Sequence, residues 1–424
     1  MASFSIPLTG LEADSTALNT IANNLANMNT TAFKSQTADF ANLFFQEIGA
    51  SGSGDPMQVG AGVHVDATET DFTQGTLSAT GNASDVALNG NGFFVAENNG
   101  TQLYTRDGDF TLASNGSLIT QDGFSVMGYP AANGVVNTDS PIVPITIPVG
   151  SVLQPQATGN FGMTANLDAS SATNTAFPAQ ITLYDSLGVA HSATVTYTKT
   201  ANNTWSYSVA LPAGDFSGAA TTVSGSMSFD QNGNLTSITP QNGQQETVGT
   251  APGDVSSIAV GFPGLSDGAA NLQMKWNLLG ANGQPTITQV SQTSAVSATT
   301  QDGYASGQYE SFSIAGDGTV SASFSNGQQL AVGQLAVANV TNEQGLQALA
   351  DGNYATTLAS GNAILGQAGS AGLGTVQDGA LEGSNVNISA EFSDLIVAQR
   401  AFEANSKSIT TFDTITQETI EMIH

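Results

Sequence analysis

The 424-residue chain has no cysteine and only six Lys and Arg residues. Each absence closes off functions. Without cysteine there are no disulfides, no thiolate metal sites and no cysteine nucleophile, and folding is indifferent to the redox state of the compartment. Six bases scattered from Lys34 to Lys407 cannot form the cationic patch that displaces counterions from nucleic acid or docks on an anionic membrane surface. No run of 18 or more apolar residues occurs, so no transmembrane helix is expected. Residues 1–13 carry neither a basic start nor a long apolar core. A secretory signal peptide is therefore not expected, and an exported chain would leave by a route that does not cleave its N-terminus. The 34 acids against six bases give a net charge of −28, yet charged residues are only 9% of the chain, so its acidity comes from missing bases. The 40% hydrophobic fraction is enough for packed cores, and the length suits two to four domains.

Glycine and proline, the strongest helix punctuators, are abundant but unevenly placed. Residues 1–40 contain one glycine, Gly10, residues 385–424 contain none, and 12 of the 13 prolines lie between. The ends therefore read as helix and the middle as strands and turns. Thr9-Gly10-Leu11-Glu12 fits a capping box opening the first helix. Leu11, Leu18 and Leu25 then recur every seven residues, with Ile21 and Met28 at the alternate seam positions. At the other end Ile388, Leu395, Phe402, Ile409, Thr416 and Ile423 repeat every seven, and Phe392, Ala398, Phe412 and Ile420 widen the stripe. Asn387 is placed to cap this helix, with Glu391 in its first turn. Two seams of one period predict terminal helices that pair with each other, coiled-coil fashion, or with copies of themselves; two core helices of one globular domain is the plainer alternative. One buried stripe of about five side chains gains at most roughly 10–15 kcal/mol, whereas ordering about 20 residues costs on the order of 20–40 kcal/mol. The ends are thus expected to be poorly ordered until a neighbour covers them.

In the middle, Asn115-Gly116, Asp122-Gly123, Asn232-Gly233, Asp317-Gly318 and Asn326-Gly327 signal hairpins. Residues 180–184, 193–197 and 205–209 alternate as half-buried strands. Residues 49–62 read as a flexible Gly/Ser hinge, prolines mark a boundary near 148, and 285–303 reads as the return crossing. The expected fold class is multidomain, with β-rich central domains inserted between N- and C-terminal α-helices. Its parts are 1–32 with 386–424 (helical), 33–70 with 372–385 (linker), 71–147 with 296–371 (β-rich middle domain) and 148–295 (β-rich outer domain). The ends carry charges of −2 (1–40) and −4 (385–424), leaving −22 in the middle as an expected solvated surface.

Candidate chemistry is sparse. The three histidines, His64, His191 and His424, lack metal-ligand spacing and read as strand or surface residues. Phosphate-binding, dinucleotide and EF-hand patterns all fail. Gly264-Leu265-Ser266-Asp267-Gly268 matches the nucleophile-elbow string, but no helix pattern follows it and the only downstream histidine is the last residue. No catalytic, metal or cofactor residue is expected, and no enzyme activity.

The terminal heptads carry a resemblance. Residues 22–34, with Asn24, Asn27, Asn29, Thr30, Phe33 and Lys34, resemble the N-terminal signature of bacterial flagellar rod and hook proteins. Residues 379–386 and 399–405, with Gln399, Arg400 and Asn405, resemble the C-terminal one. Leu88-Asn89-Gly90-Asn91-Gly92-Phe93-Phe94 is similar to an internal strand of that family. The length, with residues 183–188 and 366–370, resembles the hook branch rather than the distal rod, which would lack a domain near 148–295. A secreted β-rich adhesin, the alternative from another class, would need a secretory signal.

The resemblance implies a structural subunit of a motility organelle. Such a subunit is exported unfolded by the flagellar type III apparatus and polymerises beneath a hook cap protein into a curved tube. That tube is a universal joint, extracellular and continuous with the basal body, between the distal rod and the hook–filament junction proteins. The terminal helices would form its inner layer. Phe40 and Phe44 would form the Phe-x-x-x-hydrophobic export signal. Two positions depart from the family pattern. Ala32 replaces a glycine suited to a left-handed helix exit, which costs about 1 kcal/mol and makes a different exit turn expected. Asn387 replaces an Asp, and either can cap.

Overall fold

The computed structural model of the chain describes residues 5–50 and 56–422. It divides into two compact units, residues 1–149, 310–323 and 329–424 in the first and 150–309 with 324–328 in the second.

The first unit begins and ends in helix, where glycine and proline are scarce: α1 (Ser5–Ala26) and α2 (Ile388–Glu421). Asn387 caps α2, its side chain accepting from the Ser389 and Ala390 amides at 3.1 and 3.3 Å. The expected start of α1 is corrected. Ser5 is already helical, and Pro7 sits in the first turn, where a missing N–H costs nothing. Thr9 lies inside the helix, donating to the Ile6 carbonyl at 2.8 Å and accepting from the Val63 amide at 3.3 Å, so no capping box forms.

After α1 the chain runs out and back as a two-stranded antiparallel ribbon. β1 (Gln36–Asn42), β2 (Phe45–Ala50), β3 (Pro56–Gly60) and β4 (Val63–Thr70) follow one another, β1 pairing with β4 and β2 with β3. The described flanks of the hinge expected at 49–62 are paired rather than free, Gly49 and Ala50 standing opposite Met57 and Pro56 in the ladder. Backbone pairing does not need particular side chains, which is why a Gly- and Ser-rich composition hid it. Residues 51–55 lie outside the described residues.

The body of this unit is an antiparallel sheet in which Gln329–Asn339, Ser125–Ala132, Phe93–Asn98, Thr101–Thr105 and Asn353–Ala355 are successive neighbours. Phe93, Val95, Tyr104, Met127, Tyr129 and Tyr354 form its buried cluster. The Gly-x-Gly-Phe-Phe segment has a steric reason: Gly92 has φ +116, and a Cβ there would stand 2.7 Å from Val337 Cγ1.

The second unit is two sheets around one core. Six strands form an antiparallel meander in chain order: Ala176–Tyr184, Ala190–Ala201, Thr204–Ala210, Thr222–Phe229, Leu235–Pro240 and Glu246–Thr247. Trp205, Tyr207 and Val209 alternate inward, as the period-two pattern predicts. In the five-stranded sheet Asn160–Asp168 pairs in parallel with Leu272–Asn277 and Ile287–Val290, and antiparallel with Ala295–Gln301. That last pairing keeps 296–309 in this unit and moves the boundary expected at 295. Trp276 stacks on Phe161 at 5.7 Å and meets Tyr207 edge-on at 5.4 Å. All five expected hairpin glycines have φ between +78 and +84.

Candidate assembly site at the paired chain ends

The two terminal helices lie antiparallel. Near the start of α1, Asn405 Nδ2 donates to Asp14 Oδ2 at 2.8 Å; near its end, Asn24 Nδ2 donates to Glu391 Oε1 at 2.9 Å. Gly10, the only glycine among residues 1–40, allows the first contact, since a Cβ there would come within 2.7 Å of the Asn405 amide. Asn24 also donates to the Gln36 carbonyl (2.8 Å) and accepts from the Gln36 amide (3.0 Å). One buried amide thus joins α1, β1 and α2. Burial pushes the Glu391 carboxyl up, against the Asn24 hydrogen bond that favours its charge.

Below the helices the N-terminal signature is locked to the segment before α2. Ala32 has φ +55 and donates its amide to the Glu382 carbonyl at 2.7 Å. Ala32, beyond the end of α1 at Ala26, thus takes a left-handed conformation without a glycine. Lys34 is buried, with Nζ 2.7 Å from Glu382 Oε1 and 2.8 Å from the Thr73 carbonyl. Glu382 Oε1 also accepts from the Gly75 amide at 2.8 Å, and Arg106 Nη1 lies 3.7 Å from Glu382 Oε2. Arg106 sits 5.4 Å from the Phe93 ring centre. Burial lowers the proton affinity of Lys34 and Arg106, and Glu382 opposes it in both. Asn385 closes the joint, accepting from the Ser35 amide (2.7 Å) and donating to the Asp71 carbonyl (2.8 Å).

Other signature residues act locally or face outward. Asn27 donates to the Asn23 carbonyl at 2.9 Å and accepts from Thr30 Oγ1 at 3.1 Å, Phe33 is half-buried, and Asn29, Gln399 and Arg400 are exposed. Among the described residues the large side chains of the expected seam are nowhere sealed. Leu11, Leu18, Ile21, Leu25, Leu395, Phe402, Ile409 and Phe412 are half-buried. Met28, beyond the end of α1, is exposed, as are Ile388, Phe392 and Ile420, and Ile423 lies outside the described residues. Small residues, Ala13 and Ala398, are buried instead. Ile388, Phe392, Ile396, Val397, Ile415 and Ile420 are between 44% and 66% exposed. Phe40 and Phe44 are exposed on the ribbon, and a groove of about 340 Å³ runs between α1, α2 and β1, lined by Ala17, Ile21, Phe40, Val397 and Ala401 among others.

None of this is catalytic geometry. Ser266 lies in a loop, its Oγ donating to the Gly214 carbonyl, and no helix follows it, so the elbow string is not an elbow. Among the described residues no helix is long and apolar enough to cross a membrane. Sequence reasoning missed Glu382 and Arg106 because Glu382 and the two cations it faces, Lys34 and Arg106, lie far apart in the chain.

Four family patterns match in chain order: flagella basal body rod protein over 7–34, flagellar hook protein FlgE/F/G D1 domain over 87–164, flagellar basal body protein FlaE D2 domain over 153–304, and flagellar basal body rod FlgEFG protein C-terminal over 377–422. The chain is 35% identical to the flagellar hook protein FlgE of Salmonella typhimurium over 97% of this chain and 98% of that one. It is 34% identical to that of Borreliella burgdorferi over 98% of each. Its fold is similar to the crystal structure of Helicobacter pylori flagellar hook protein FlgE2, with a TM-score of 0.54 and 14% identity over 72% of this chain and 100% of that one. Similar from end to end to hook proteins of distant bacteria, the chain belongs to the flagellar hook protein FlgE family, whose members are structural subunits and not enzymes.

Proposed function

We propose that this hook subunit polymerises through its paired ends into an open helical tube that transmits motor torque while bending. The observation that carries the reading is the unsealed seam: polar clasps fix the two helices to each other, yet both leave large apolar side chains about half exposed. Contiguous exposed apolar surface of this kind marks an interaction face. Identical subunits meeting through unlike faces, without closure, build a helical polymer. The groove beside α1, α2 and β1 offers a seat for a neighbouring copy's apolar side chains. The β-rich part of the first unit and the second unit, 150–309 with 324–328, would form the layers around the helical tube.

Finer assignments rest on the family resemblance. The subunit would be exported unfolded by the flagellar type III apparatus, without cleavage, with Phe40 and Phe44 as the export signal. Its partners would be the hook cap protein, the distal rod and the hook–filament junction proteins.

Electron microscopy of the purified full chain beside an Ile396→Ser, Val397→Ser variant tests the seam. Both residues are exposed, so monomer stability should hold within about 1 kcal/mol. Tubes should form from the parent and not from the variant. Variant tubes at the parent's frequency would sink the proposal.

A further inference from the structure

Both ring nitrogens of His191, in the second unit, face carboxylates. Nδ1 lies 2.8 Å from Asp215 Oδ2, Nε2 lies 3.0 Å from Asp185 Oδ2, and Asp267 Oδ2 is 3.8 Å from Nε2. The histidine and Asp185 are both buried. A neutral imidazole has one N–H and one lone pair, so either tautomer would turn a lone pair toward an ionised oxygen. Only the imidazolium donates to both partners.

The three acids come from separate segments. Asp185 sits in the turn after Ala176–Tyr184, where its Oδ1 accepts from the Leu187 and Val189 amides at 2.8 and 2.9 Å. Asp215 ends the short turn Ala213–Asp215, and Asp267 lies in the loop after Ser257–Phe262. These three are the charged groups that face the ring, and among the described residues no Lys or Arg pairs with them.

We propose that His191 is a proton-operated clamp on the second unit, fastening three loops together while charged and releasing them when it loses its proton. Burial works against the charged ring, but the hydrogen bonds and charges of Asp185 and Asp215 outweigh it and raise the His191 pKa above 6.5. Burial likewise opposes the charge on Asp185, yet hydrogen bonds from His191 and from the Val189 and Leu187 amides bring it down to about 2. For a group raised on folding, the contribution is full below the unfolded pKa and is lost as pH rises through the folded one. The clamp therefore weakens on the alkaline side of 6.5, with a slope of at most one proton, or about tenfold in the folding equilibrium per pH unit.

The chain's two tryptophans, Trp205 and Trp276, are both buried in this unit, so their emission reports its unfolding alone. Urea unfolding of the full chain followed by that emission should show stability falling up to about tenfold per pH unit above pH 6.5, a fall that His191→Gln abolishes. Imidazole NMR should place the His191 titration above that of an ordinary histidine, and Asp215→Asn should lower it, which tests the clamp even if the glutamine variant fails to fold. The proposal is overturned by an equal pH slope in parent and His191→Gln, or by an ordinary or lower His191 titration. It is equally overturned if added Zn²⁺ or Ca²⁺ raises the midpoint in a His191-dependent way, which would make the cluster a cation site.

Discussion

The second unit and the chain ends spend their apolar residues in opposite ways. The second unit turns Trp205, Trp276, Tyr197, Tyr207 and Phe161 wholly inward, between two sheets. The ends hold their helices together with polar groups, Asn24 to Glu391 and Asn405 to Asp14, and leave Phe392, Ile396 and Val397 outside. One region is finished within a single chain. The other has a fixed geometry and an unfinished core, which is what a subunit needs if its remaining burial is to come from copies of itself.

The sharpest way to break this contrast is Trp276→Ala. A ring with three aromatic neighbours leaves a large cavity, so the loss should be about 3–5 kcal/mol. It should appear in urea unfolding read from Trp205 and leave amide exchange in α1 and α2 unchanged. Loosening of the helices by the same amount would mean that the regions are not independent.

Glu382→Gln strikes the joint beneath the helices. It removes the one carboxylate facing both Lys34 and Arg106 and leaves two buried cations without their counter-charge. A broken buried ion pair costs about 3 kcal/mol or more. Circular dichroism of the monomer should show that loss in the first unit while tryptophan emission of the second stays as in the parent.

The solvated acidic surface expected for the middle holds only in part. Asp185 and Glu382 are buried and in use, as is Asp85. Nearby, burial first and the neighbouring Asp109, Asp122 and Asp85 next push Asp107 up to about 6. The folded state then binds a proton more tightly than the unfolded chain, so stability falls as pH rises from about 4 to about 6. Asp107→Asn keeps the oxygen that accepts from the Asp109 amide and removes the charge. It should stabilise the first unit by about 3 kcal/mol well above pH 6 and by nothing below pH 4. Amide exchange of Phe93–Asn98 against pH checks this, and a gain persisting at pH 4 would refute it.

What could be read from the sequence follows from the range of each interaction. The terminal helices, the Asn387 cap and the hairpin glycines depend on neighbours within a few residues, and all three are found. The start of α1 was misplaced because Thr9 and Glu12 have the spacing of a capping box, whereas Pro7 marks the first turn. The β2–β3 ladder is hidden by the Gly- and Ser-rich composition of the sequence around it. The Lys34–Glu382 pair and the Asp185–His191–Asp215 cluster join residues that no local pattern connects. Asn24 and Asn405 are visible as signature residues, but the partners they clasp, Glu391 and Asp14, lie at the opposite end of the chain.

The smallest expected effect on the isolated chain is the most telling for assembly. Ile420 lies in the last turns of α2 and is 56% exposed, so Ile420→Ser creates no cavity and strands no polar group. Its monomer stability should stay within about 0.5 kcal/mol of the parent. If neighbouring copies bury this position, the same change removes apolar contact at every repeat of the polymer, and each lost isoleucine side chain forfeits roughly 1.5–3 kcal/mol of burial. The concentration needed to polymerise should therefore rise at least tenfold, since 1.4 kcal/mol per added subunit is a factor of ten. Sedimentation of polymer against free subunit measures it. An unchanged threshold would show that the end of α2 faces water in the tube, and would confine the assembly face to the seam between Ile388 and Phe412.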